Sequence, residues 1–181
     1  MRIIAGAAKG RRLYTPENRD IRPTSDRVRE NLFNILVPRI TNARFLDLFC
    51  GSGANGIEAL SRGACHCTFV DNNTAALNLT RRNLELCKLS SAALILHATV
   101  PDGLPPQPNP FDIIFADPPY AFKEYSLLLQ RLSENGYISD ESMVILETST
   151  KAEIPDECIS FRLQQQRRYG DTMLSFFVYL Q

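Results

Sequence analysis

No apolar run in the chain approaches the roughly 20 residues that a membrane-spanning helix needs; FDIIFA at 111–116 is typical of the runs present. Nor does MRIIAGAAKGRRL at the start hold an apolar stretch long enough for a secretory signal. Cysteines number five, an odd count without framework spacing, which argues against a disulfide scaffold and for a reducing, cytoplasmic setting. Histidines number two, and neither stands near a Ser or Cys in the order a nucleophilic triad requires. Cys65-His66-Cys67 invites a metal, but alternation along a strand turns His66 away from the two thiols. A structural zinc needs four ligands, and no second cluster supplies them, so no metal is expected. Repeats of solenoid period are absent. Net charge is absent as well: 20 Lys+Arg balance 20 Asp+Glu, an average that speaks against a nucleic-acid partner.

What is there changes that last inference. Residues 1–44 hold ten Lys+Arg against four Asp+Glu, and 45–100 hold four of each. Residues 101–160 hold three basic against eleven acidic residues, and 161–181 hold three against one. The basic N-terminal part carries Lys9, Arg11, Arg12, Arg19, Arg22, Arg27 and Arg29. Such asymmetry suggests a basic face for an anionic partner, with a solvated surface as the plainer reading. The acidic stretch 101–160 reads as a solvated back face.

The length of 181 residues and a 44% hydrophobic content fit one domain with a small appendage. Residues 1–22 read as a short β arm and 23–181 as a single compact domain. After Pro23, any of Thr24, Ser25 or Asp26 offers an N-cap, and Val28, Leu32, Ile35 and Leu36 share one face of a helix that Pro38 should end. Beyond it, apolar strands at 45–49, 67–71, 93–97, 111–117 and 143–147 alternate with helical patterns near 54–62, 74–88 and 123–134. Leu127, Leu128, Leu129 and Leu132 read as helix core, and PDGLPPQPNP at 101–110 as a loop. This order predicts an α/β fold: a Rossmann-like, mostly parallel seven-stranded sheet built by βαβ crossovers. Residues 159–169 and 172–180 flank Gly170-Asp171 and predict an antiparallel C-terminal hairpin that closes the sheet.

After the first strand, Gly51, Gly53 and Gly56 have the spacing G-x-G-x-x-G. Such glycines permit a tight strand-to-helix turn and let a ligand press on the backbone. Asp71 ends the second strand, where a carboxylate bonds ribose hydroxyls. The loop fits both dinucleotide enzymes and methyltransferases. Asp47, just ahead of it, would repel a pyrophosphate but attract the ammonium and sulfonium of S-adenosylmethionine. The loop also has no lysine, unlike a P-loop. Candidate cofactor residues are therefore Asp47, Phe49, Cys50, Gly51, Ser52, Gly53, Gly56, Asp71 and Asn72. His97 and the Ala98 backbone are candidates to meet adenine, and Thr24 to meet the amino-acid end of the cofactor. Cys50 should contribute through its backbone. S-adenosylhomocysteine would be the product.

The fourth strand ends in Asp117-Pro118-Pro119-Tyr120. In open parallel sheets, ligands bind beyond the carboxyl ends of the strands at the switch point, so this tetrad should stand beside the glycine loop. Consecutive prolines hold the backbone extended. The parts suit methylation of an exocyclic amino group, a poor nucleophile whose lone pair is delocalised. Asp117 and the Pro118 carbonyl would accept its protons, while Tyr120 stacks on the base and positioning supplies much of the rate. A base inside a helix must first leave its stack. Guanine, with donors on both its ring N–H and its amino group, complements an acceptor-only aspartate.

The glycine loop and tetrad together resemble the amino-methylating S-adenosylmethionine-dependent methyltransferases. MRIIAGAAKGRRL at the start, RPTSDRVRENLFNIL at 22–36, LDLFCGSGANGIEALSRGA at 46–64, DPPY, and RRYGDTMLSF at 167–176 resemble, from end to end, the bacterial small-subunit ribosomal RNA guanine methyltransferases of the RsmD type. The resemblance implies transfer of a methyl to the exocyclic amino group of one guanine in 16S rRNA, on an assembling or assembled small subunit. Arg11, Arg12, Arg22, Arg27 and Arg168 would grip phosphates, and the enzyme would work as a monomer. Other readings of the tetrad are a DNA adenine methyltransferase, a protein glutamine methyltransferase and an inactive RNA-binding assembly factor.

Overall fold

The computed structural model describes residues 1–15, 23–155, 157–158 and 161–180. Its centre is a sheet of eight strands in the order β3-β2-β1-β4-β5-β8-β7-β6. The parallel half comprises β1 (Arg44–Leu48), β2 (His66–Asp71), β3 (Ala93–His97), β4 (Ile113–Ala116) and β5 (Met143–Ser149). The antiparallel half comprises β6 (Glu157–Cys158), β7 (Phe161–Tyr169) and β8 (Thr172–Tyr179). Seven strands match the expected sheet, and the two-residue β6 adds an eighth at the edge. Tyr169 pairs with Thr172, so Gly170-Asp171 makes the two-residue hairpin turn.

The strands read as continuous apolar runs because both sheet faces are covered. On one face lie α1 (Pro23–Ile40), α2 (Ala54–Ser61) and α3 (Thr74–Cys87), whose Leu32, Phe33, Ile57, Leu77 and Leu84 pack with Phe45, Phe69, Phe115 and Phe176. On the other lie α4 (Tyr125–Glu134) and the proline-rich segment before β4. There Leu104, Leu128, Leu129, Leu132 and Tyr137 meet Leu46, Leu48, Ile114 and Val144. Leu127, expected with these leucines, is only half-buried.

Two expectations change. Pro38 lies inside α1 and does not end it. The ring removes one N–H donor, but Leu36 and Ile40 are both buried, and their packing carries the last turn through. Second, the arm is held less by strand pairing than by α2. Its only bridge pair among the described residues is Arg2–Arg12. The N–H groups of Ile4 and Ala5 donate to the Glu58 carboxylate (2.8 and 3.0 Å), and that of Ala8 to Ser61 Oγ (2.9 Å). Ile3, Ala8 and Leu13 are buried in the shared core.

The chain moves outward from β1 to β2 and β3, then returns to place β4 on the other side of β1. The switch point therefore falls between β1 and β4, where successive loops part and leave a crevice.

Candidate active site

The loop after β1 is fixed from all sides. The buried Asp47 carboxylate accepts the Gly56 N–H of α2 at 2.8 Å. The Cys50 N–H donates to the Val70 carbonyl (3.0 Å), and the Gly51 N–H to Asp71 Oδ2 (2.9 Å). From α3, Thr80 Oγ1 donates to the Gly51 carbonyl (3.0 Å) and Asn83 Nδ2 to the Ser52 carbonyl (2.9 Å). Thr80 and Asn83 were not among the sequence candidates. Their signal was available: both are polar residues on the helix stripe of Leu77, Leu84 and Cys87, and both are fully buried.

The glycines divide their work. Gly53 lies in the left-handed region (φ +75°) with Thr80 Cγ2 only 2.8 Å from where a Cβ would stand. A Cβ on Gly56 would overlap the Phe69 ring and sit 2.6 Å from Cys67 Sγ. Gly56, expected against the cofactor, is thus used for helix–strand packing. At Gly51 the nearest atom to such a Cβ is 4.0 Å away, which leaves this stretch of backbone open for a ligand to approach. Asp47 also differs from expectation: it lies beneath the loop instead of lining it, because the helix amide draws it inward. Burial raises its pKa well above the ordinary carboxylate range, against the Gly56 hydrogen bond, with Asp117 and Asp71 adding to the rise.

At the end of β2, Asp71 is half-exposed and accepts the N–H groups of Gly51 and Asn73 at 2.9 Å each. Each oxygen keeps a further lone pair for a ligand. The Ala98 N–H is already committed to the Asp71 carbonyl (3.1 Å). His97 Nε2 lies 3.0 Å from the Asn72 carbonyl. Cys50 is buried with its sulfur 3.8 Å from Thr80 Oγ1, and burial raises its thiol pKa. Thr24 falls in the first turn of α1, and its side chain lies outside the described residues.

Across the switch point stands the tetrad. Pro118 is buried, whereas Asp117, Pro119 and Tyr120 are exposed, Tyr120 at 80%. The Phe122 N–H donates to the Pro119 carbonyl at 2.8 Å and closes a turn. Phe122 then meets Phe49 edge-on at 5.3 Å and Tyr125 at 5.3 Å. The Phe49 ring, itself in the left-handed region (φ +57°), ties the glycine loop to the tetrad loop.

Four carboxyls occupy one face at the carboxyl ends of four adjacent strands: Asp71 on β2, Asp47 on β1, Asp117 after β4 and Glu147 on β5. Two of them, Asp117 and Glu147, belong to the stretch expected as a solvated back face. Glu147 was not among the sequence candidates, since nothing but its strand position marks it. Its pKa is pushed up to about 8 by burial, with the Asp117 charge adding to the rise and Arg29 opposing it. Arg29, counted with the exposed basic residues, is 4% exposed. Its Nη2 donates to the Arg2 carbonyl (2.6 Å) and to Asp26 (2.8 Å), and its Nε stands 3.9 Å from Glu58.

Of the phosphate candidates, Arg11, Arg12, Arg27 and Arg168 are exposed. Arg11 Nη1 donates to the Leu86 carbonyl at 2.8 Å, near the end of α3. Arg168 Nε donates to the Gly170 carbonyl (2.9 Å) at the hairpin tip. Arg22 lies outside the described residues. Beside Arg11, the Arg82 guanidinium lies 4.4 Å from the Tyr14 ring centroid, a basic–aromatic pair the sequence did not suggest. Among the described residues no group of three or more His, Cys, Asp or Glu is arranged to hold a metal, and no helix is long and apolar enough to cross a membrane.

Sheet order, switch point and glycine loop define a Rossmann-like methyltransferase fold. A solved Escherichia coli protein described as a methyltransferase, yhhF, superposes with TM-score 0.88 at 33% identity, covering 99% of this chain and 98% of that one. A solved Haemophilus influenzae protein described as a methylase does so with TM-score 0.82 at 33% identity and the same coverage. Ribosomal RNA small subunit methyltransferase D of Escherichia coli K12 is 35% identical over 94% of this chain and 85% of its own length. Its Haemophilus influenzae counterpart is 39% identical over 82% and 78%. The family model described as Conserved hypothetical protein 95 matches residues 1–178, and the chain belongs to this family, together with the ribosomal RNA small subunit methyltransferase D proteins.

Proposed function

We propose that the protein transfers a methyl group from S-adenosylmethionine to the exocyclic amino group of a guanine in 16S rRNA, presented by the small ribosomal subunit. One observation carries this reading: a pre-formed, carboxylate-lined glycine loop and an exposed Asp-Pro-Pro-Tyr tetrad face each other across the β1/β4 switch point. The names of the Escherichia coli and Haemophilus influenzae relatives support the substrate.

When bound, S-adenosylmethionine supplies a methyl group on a positively charged sulfur. The residues present fit it. Asp71 has lone pairs to spare for ribose hydroxyls, and the Gly51 backbone is open to close approach. Asp117 and the Pro118 carbonyl accept the protons of the amino group, and the exposed Tyr120 ring gives the base a plane to stack on. As the N–C bond forms and the C–S bond breaks, the electron pair leaves with sulfur. The surplus proton on nitrogen passes to the Asp117 carboxylate. The protein acts as a monomer in the cytoplasm, with Arg11, Arg12, Arg27 and Arg168 contacting phosphates along an extended path.

The test is tritium transfer from S-adenosylmethionine to small subunits isolated from a strain lacking this protein, followed by nucleoside digestion. Label in methylguanosine is expected. Label in adenosine or in ribosomal protein, or no label at all, overturns the assignment.

A further inference from the structure

Glu147 lies at the crevice and has no part in the methyl transfer described so far. The β4–β5 register sets Ala116 beside Leu146. Continued by one residue, it sets Asp117 beside Glu147, on strands about 4.8 Å apart and on the same face. The groups facing Glu147 can be named element by element. Asp117 comes from β4, with Asp47 one strand further on β1. From β8 the register partner is Leu174, which carries no charge. From α1 comes Arg29, itself paired with Asp26. Arg29 Nη2 serves Arg2 and Asp26, while its buried Nε stands 3.9 Å from Glu58 and makes no hydrogen bond among the described residues.

We propose that Glu147 is a positioning residue for methyl transfer: as a neutral acid it donates its O–H to one oxygen of Asp117, so that the other oxygen faces the amino group of the base. This rests on the methyl-transfer reading above. Glu147 is half-buried beside the exposed Asp117, and two neighbouring carboxylates do not both ionise cheaply, so the pair shares one proton, held on the less solvated Glu147. Burial and the Asp117 charge outweigh Arg29 and raise the Glu147 pKa to about 8, which leaves Glu147 mostly protonated at neutral pH. The Glu147 proton is not consumed. Asp117 takes the proton that the amino nitrogen sheds, and Glu147 keeps its carboxylate from rotating away.

Two measurements on the full chain decide the matter. The first needs no RNA: carboxyl ¹³C NMR titration of the parent and of Asp117→Asn. Glu147 should titrate near pH 8 in the parent and lower by at least about one unit in the variant. A Glu147 that titrates in the ordinary carboxylate range, or does not respond to Asp117→Asn, overturns the pair. The second is the pH profile of kcat on small subunits. Glu147→Ala should lower kcat about thirtyfold, with the cofactor Kd within about threefold. Glu147→Gln, which keeps a donor, should recover about tenfold of that loss and abolish the parent's decline above pH 8. Equal losses in the two variants, or a parent-like alkaline limb in Glu147→Gln, would show a merely structural role and overturn the proposal. A parent that transfers nothing to subunits sinks the functional reading, while the titration still judges the pair.

Discussion

Asp47 and Asp117 stand at the ends of neighbouring strands, on the same face, and the fold treats them in opposite ways. Asp47 is 1% exposed and bonded to the first turn of α2; Asp117 is exposed at the head of a loop whose tyrosine is 80% in solvent. The same contrast holds for whole loops. Backbone groups after β1 are engaged by Asp71, Thr80 and Asn83, and a Cβ at Gly53 or Gly56 meets neighbours at once. The loop after β4 is stiffened by its prolines and one turn hydrogen bond, with its functional side chains facing outward. Preorganisation on the cofactor side suits a small ligand that must be gripped in one geometry. Exposure on the other side suits a large partner that covers the site when it docks.

The contrast predicts different failures on its two sides. Asp117→Ala should lower kcat for transfer to small subunits about a thousandfold. Thermal stability and calorimetric affinity for S-adenosylmethionine should stay close to the parent, because the side chain is exposed. Loss of cofactor affinity instead would place Asp117 on the cofactor side and erase the distinction. Gly56→Ala should do the reverse. Its Cβ has no space beside Phe69 and Cys67, so the urea midpoint should fall by an amount worth about 2–3 kcal/mol. Cofactor affinity should weaken with it. An Ala variant as stable as the parent would show that the α2–β2 contact is looser than the geometry indicates.

The same division explains what the sequence could and could not reveal. Strands and helices were legible because both sheet faces are covered and the turn chemistry is strong: Gly170-Asp171 marked the hairpin, and the prolines at 101–110 marked the loop. The candidate site was legible where chemistry is written in consecutive residues, as in the glycine loop and the tetrad. It was not legible where residues meet only through the sheet. Glu147 joins Asp117 by strand register, 30 positions along the chain, and no local pattern distinguishes it from a solvated glutamate. Arg29 looked like part of a basic surface because charge counting is blind to burial. Its stem is drawn into the core by the helix face that carries Val28, Leu32 and Leu36, and Asp26 and Glu58 meet its charge there. Pro38 misled for a related reason, since the packing of Ile40 outweighs one missing donor.

Asp47 itself offers the finest test of the closed side. Its pKa is raised in the folded protein by burial, so the folded state holds its proton at a pH where the unfolded chain has lost it. Stability from this group is therefore fully present below the ordinary carboxylate range and is lost as pH rises above it. Asparagine can still accept the Gly56 N–H through its side-chain oxygen, and it does not titrate. Asp47→Asn should thus show a flatter dependence of stability on pH, with the variant gaining on the parent by about 1 kcal/mol at alkaline pH and not in acid. Urea unfolding across the pH range measures this directly. Affinity for the cofactor should stay close to the parent wherever Asp47 holds its proton, and fall below it only at alkaline pH, where the parent's carboxylate ionises. A variant that loses stability at every pH would mean that the Asp47 charge holds the loop in place, and that the closed side depends on electrostatics and not on its hydrogen bonds.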